Sequence, residues 1–172
     1  MGLATACALS SRDNWHIHIL DLNEPAGKEA VSSLGTNASF HQVNVTSHSA
    51  LGAIFKSIFL QHKRIDFVFA NAGIAERANF YAHHEGIDPP PEVPGMDLLV
   101  DICLKAVVST AYLALHYFRL SHEESKKDRS LVITSSCGGI YPSYYSPIYT
   151  ATKHGELAFL CSSGCRTSCA MY

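Results

Sequence analysis

Short runs of β-branched and aromatic residues alternate along this chain with segments of helical periodicity. That alternation narrows the available folds more than any single residue does. HIHIL, His16 to Leu20, reads as a strand, and Glu24 to Leu34 as a helix. FHQVNV, Phe40 to Val45, is the next strand. From Ser47 to His62, the residues Leu51, Ile54, Phe55, Ile58 and Phe59 share one helical face. IDFVFANAG, Ile65 to Gly73, is a buried strand running into a turn of small residues, and the proline-rich EGIDPPPEVPG is a loop. Met96 to Leu120 forms a long helix, SHEESKKDRS a polar connector, and SLVITSS, Ser130 to Ser136, a further strand. After a loop rich in Gly, Pro and Tyr, a helix begins near Tyr149. Apolar strands separated by helices pack as a parallel sheet covered on both faces. The chain is therefore predicted to be α/β, a single domain built on a doubly wound parallel sheet. In such sheets the ligand sits beyond the carboxyl ends of the strands. Asp21, Asn44, Asn71 and Ser136 all fall at or just after predicted strand ends.

Composition removes several function classes. The 172 residues are 47% hydrophobic with a net charge of −2, so neither sign of charge argues for nucleic acid or an anionic membrane as a partner. No uninterrupted run of about 18 apolar residues appears, and no membrane span is expected. The opening MGLATACALSSRDNW lacks a basic leader and a long apolar core, which leads to the expectation of a cytoplasmic protein. The six cysteines, Cys7, Cys103, Cys137, Cys161, Cys165 and Cys169, follow no disulfide framework, and reduced thiols are expected. The last three recur every four residues, but without paired Cys-x-x-Cys spacing or an obvious fourth ligand no metal site is expected. The ten histidines are dispersed, and His83-His84 reads as solvated.

The stretch SPIYTATKHGE places Tyr149 and Lys153 four residues apart, on one face of a helix. Alone, that spacing describes many surface helices. It gains weight from its order behind ILDLN with Asp21, ANAG with Asn71, and ITSSCGG with Ser136, thirteen residues before Tyr149. This ordered set resembles the short-chain dehydrogenase/reductase family, an NAD(P)-binding Rossmann fold, over about the first 160 residues. The resemblance implies interconversion of a secondary alcohol and a ketone by hydride transfer, on a small-molecule substrate. It implies Ser136, Tyr149 and Lys153 as catalytic residues. Tyr149 would exchange a proton with the substrate oxygen, Ser136 would hydrogen-bond that oxygen, and Lys153 would bind the nicotinamide ribose. A phenol is a poor base at neutral pH, and a nearby ammonium favours the phenolate. For the cofactor the resemblance implies Gly2, Asp21, Asn44, Val45, Asn71, Ala72 and Gly73, together with Tyr149 and Lys153. A carboxylate at Asp21 can accept hydrogen bonds from ribose hydroxyls and would repel a 2′-phosphate, so NAD is expected over NADP.

The departures from the family pattern are as informative. The family opens with a strand and a glycine-rich turn at a helix N-terminus. This chain opens at MGLATACAL, which matches the end of that motif, with Gly2 as its last glycine. The first strand is normally central, so its loss exposes two neighbouring edges. Asn44 stands where the family usually has aspartate, and Cys103 where it usually has a relay asparagine. A thiol is the weaker hydrogen-bonding group, and Cys103 itself reads as a packed core residue. After Phe159 or Leu160 the resemblance fades. The expected organisation is an incomplete dinucleotide-binding and catalytic domain over 1–160 and an atypical tail over 161–172. The rival reading is a non-catalytic fragment or degraded copy that binds cofactor poorly or associates with a full-length relative, and a homo-oligomer through the long helices is compatible with either. Tyr141, Tyr144 and Tyr145 read as neighbours of the pocket.

Overall fold

A computed structural model describes residues 1–12, 14–121 and 129–162. Its elements run α1 (Gly2–Ser10), β1 (Ile17–Asp21), α2 (Glu24–Leu34), β2 (Ala38–Gln42), α3 (His48–His62), β3 (Phe67–Ala70), α4 (Met96–Val100), α5 (Ala106–Leu120), β4 (Ser130–Ile133) and α6 (Pro147–Ser162). The caps explain several boundaries. Asn23 accepts from the Ala26 N–H at the start of α2, and Ser47 from the Ala50 N–H at the start of α3. Gly35 ends α2 at φ +92°, a conformation that favours glycine. One π-helical turn, Asp101–Lys105, joins α4 to α5, so Met96 to Leu120 runs as one long helix with Cys103 in its π turn.

The strands pair in parallel as two separate couples. In β1–β2, Ile17 lies opposite Ala38 and Asp21 opposite Gln42. In β3–β4, Phe67 lies opposite Ser130 and Ala70 opposite Ile133. Helix α2 packs on one face of the first couple, and α3 meets the other through histidines. Phe40 of β2 lies against Gly27 of α2, while its neighbour His41 points the other way and reaches His62 of α3 through His18. The main core sits beside the second couple. There Leu51 and Phe55 of α3 join Val107, Ala111, Ala114 and Phe118 of α5, with Val68, Leu131 and Ile133 from the strands.

Between β1 and β3 no described residue forms a strand. The free edges of both line a cleft of about 1000 Å³. This is the pair of unpartnered edges expected from the missing central strand. Two further points amend the sequence reading. MGLATACAL is not only the end of a turn, because it winds into α1, where only Ala6 is buried. No membrane span was expected, yet Met96 to Leu120 contains an 18-residue window of mean hydropathy 1.9 and is long and apolar enough to cross a membrane by length and composition. Asp101 and Lys105 interrupt its apolar run but pair with each other at 2.7 Å, and α5 turns its apolar residues toward α3, β3 and β4.

Candidate active site

The carboxyl ends of β3 and β4 are tied side chain to side chain. Thr134, just past β4, donates from Oγ1 to Asn71 Oδ1 at 3.0 Å. The Thr134 carbonyl accepts from Lys153 Nζ at 3.0 Å. One residue therefore links the lysine of α6 to the asparagine after β3. Lys153 is buried, and its Nζ lies 5.6 Å from the centroid of the Tyr149 ring. After β4 the chain makes a single 3₁₀ turn, Cys137–Gly139, capped by Ser136 Oγ, which accepts from the Gly138 N–H at 3.1 Å. A Cβ on Gly138 would sit 3.5 Å from the Tyr149 ring and 3.6 Å from Ser136 Oγ, so the two hydroxyl-bearing residues flank one small residue. Gly139 lets this turn meet α6: a Cβ there would lie 2.9 Å from the Lys153 carbonyl. Ser136, Tyr149 and Lys153, expected from sequence to act together, are brought together by these contacts.

The expected cofactor residues divide. Gly2, Asp21, Val45, Asn71 and Ala72 line the cleft between β1 and β3. A Cβ on Gly2 would meet Asn71 Nδ2 at 3.1 Å, which places the start of α1 against the end of β3. Asp21 is exposed, and its Oδ1 accepts from the Asn23 N–H at 2.9 Å, leaving Oδ2 for a ligand hydroxyl. Asn44 and Gly73 are not among the residues lining the cleft. Asn44 Oδ1 is taken by the N–H and hydroxyl of Thr46, closing its own turn. Gly73 faces Cys103 Sγ instead. Cys103 is fully buried, as expected for a packed thiol, and it also braces the loop after Gly73. Its sulfur accepts from the Ile74 N–H and donates to the Ile74 carbonyl, both at 3.3 Å.

Two carboxylates were not singled out from the sequence. Glu76 Oε2 accepts from the Tyr149 N–H at 2.8 Å, a charge placed in the first turn of α6, where the helix dipole favours an anion. Seventy-three residues separate the two, and no local pattern announces the pair. Glu156 Oε1 accepts from Lys153 Nζ at 2.8 Å with both side chains buried. Burial pushes its carboxyl above the usual carboxylate range, against the opposing pull of Lys153. The i, i+3 spacing from Lys153 was visible in SPIYTATKHGE and could have flagged it. Tyr141, Tyr144 and Tyr145 are all exposed, and Tyr144 stacks on Tyr81 with ring centroids 4.5 Å apart.

Known proteins are similar to this chain in sequence and in fold. The family model described as short chain dehydrogenase matches residues 1–165. The short-chain dehydrogenase/reductase prx7 of Penicillium rubens is 50% identical over 165 residues, covering 93% of this chain and 57% of the relative. The 5'-hydroxyaverantin dehydrogenase of Dothistroma septosporum is 28% identical, over 97% of this chain and 58% of that protein. Among solved structures, ElxO with NADP bound superposes with a TM-score of 0.71 at 21% identity, covering 91% of this chain and 60% of that one, which is a likeness of fold. The chain thus spans somewhat more than half the length of these relatives. With the family's model matched from end to end of the described residues, the chain belongs to the short chain dehydrogenase family.

Proposed function

We propose that this chain carries the catalytic residues of a nicotinamide-dependent oxidoreductase that interconverts a secondary alcohol and a ketone. The observation behind the reading is the grouping of Ser136 and Tyr149 around Gly138, with Lys153 beside the Tyr149 ring. Gly2, Asp21, Val45, Asn71 and Ala72 along the cleft fit a dinucleotide, since they combine small residues with a carboxylate at a strand end. The cofactor, when bound, supplies the hydride acceptor or donor. Tyr149 takes the hydroxyl proton of an alcohol or returns it to a ketone oxygen. Ser136 donates a hydrogen bond to that oxygen. Lys153 places positive charge where negative charge develops. Tyr81 and Tyr144 suit an apolar or aromatic substrate.

The test is a form extended to the length of the relatives, assayed with a panel of secondary alcohols. Tyr149→Phe is expected to lower turnover by at least about 100-fold, the lower end of what a positioned acid or base contributes. NADH binding should stay nearly intact, since only one hydroxyl of the cofactor's contacts is lost. Full turnover in the variant would remove the proton-transfer role.

A further inference from the structure

Tyr149, Lys153 and Glu156 stand at i, i+4 and i+7 of α6, so the buried carboxylate continues the stripe that carries the tyrosine and lysine. Lys153 has three N–H donors. One goes to the Thr134 carbonyl and one to Glu156 Oε1, which leaves a single donor. Glu156 is 0% exposed and Lys153 4%, so neither charge is compensated by water. Glu156 Oε2 has no hydrogen-bond partner in the described structure. The carboxylate is therefore aimed at the lysine, with the Ser135 hydroxyl as a further neighbour.

We infer that Glu156 is a positioning residue for Lys153. It holds the ammonium against the Thr134 carbonyl with one N–H left over, and it cancels part of the positive charge presented to Tyr149. What that remaining N–H serves rests on the oxidoreductase reading; the tether itself does not. Without the carboxylate the ammonium keeps only the Thr134 carbonyl as a fixed partner, swings more widely and exposes its amine.

The experiment uses the chain as it stands. Lys153 acylation by an activated ester is followed by mass spectrometry across a pH series, with exposed Lys105 as the internal reference. In Glu156→Gln, Lys153 labelling is expected to rise about tenfold, the scale of removing the charge from one hydrogen bond. Its labelling curve should also move toward lower pH, while Lys105 labelling and helical circular dichroism stay constant. Unchanged Lys153 labelling in a folded Glu156→Gln chain overturns the inference. Glu156→Asp keeps the charge and should fall between the two. If Glu156→Gln loses its helical signal, the Asp variant decides: faster labelling than wild type supports the tether, and equal labelling overturns it. Labelling needs neither cofactor nor substrate, so a failure of the oxidoreductase reading would leave this result standing.

Discussion

At the scale of single residues, Asp21 and the histidines of β1 and β2 carry testable expectations. Asp21 has one carboxylate oxygen occupied by the Asn23 N–H and stands exposed at the end of β1. A 2′-phosphate there would meet negative charge, at a cost of about 1–3 kcal/mol on the scale of close charge–charge effects. In the extended form, fluorescence titration should give tighter binding of NADH than of NADPH, and the opposite order would reverse the assignment. The histidines read as dispersed in sequence are in part gathered by the fold. His18 Nδ1 lies 3.0 Å from His41 Nε2, and His18 Nε2 lies 3.1 Å from His62 Nε2, with His16 stacked near His62. Burial first, and then the neighbouring imidazoles, lower the His18 pKa from 6.5 to about 4. Between those two values the unfolded chain binds more protons, so the stability that neutral His18 contributes is present above about pH 6.5 and lost as pH falls toward 4. After allowance for solvent around a half-buried ring, the loss is about 1–2 kcal/mol. Denaturant midpoints measured at pH 7 and pH 5 should converge in His18→Val and separate in wild type.

At the scale of elements, a close approach fixes how α2 lies on β2. A Cβ on Gly27 would come within 2.0 Å of the Phe40 ring. Alanine is the better helix former by about 0.5–1 kcal/mol, but overpacking of this kind costs about 1–3 kcal/mol. Gly27→Ala is therefore expected to destabilise the chain by about 1 kcal/mol net, seen as a lower urea midpoint. A higher midpoint would mean that the Phe40 ring turns aside without penalty. The elements themselves were largely legible. The predicted limits of α2 match the structure, and α3 begins one residue after its predicted start because Ser47 is its cap. Strand ends slipped by a few residues: Phe40 to Val45 was expected, and Ala38–Gln42 is observed. Pairing with β1 sets those limits, and pairing is a non-local property. Helix α1 went unread because its hydrophobic residues follow no clear stripe and only Ala6 is buried.

For the whole molecule, the cleft between β1 and β3 is the governing feature. Two parallel edges with unpaired backbone groups border it, and apolar side chains line it. A domain is stable by only ~5–15 kcal/mol and an orphaned buried group costs ~1–3 kcal/mol, so a few such groups matter. These 172 residues on their own are expected to self-associate and to bind NADH weakly or not at all, as read by sedimentation velocity and titration. A monodisperse monomer with low-micromolar NADH affinity would contradict this. By itself, the sequence determined the alternation of strands and helices and the ordered set of Asp21, Asn71, Ser136, Tyr149 and Lys153, because periodicity and fixed spacing along an element are local properties. Only the tertiary structure decided that Asn44 closes its own turn, that Cys103 braces Ile74, that Glu76 caps α6 at Tyr149 and that four histidines converge. Those relations join residues through packing across elements or through competition for a hydrogen bond, and one-dimensional spacing does not encode either.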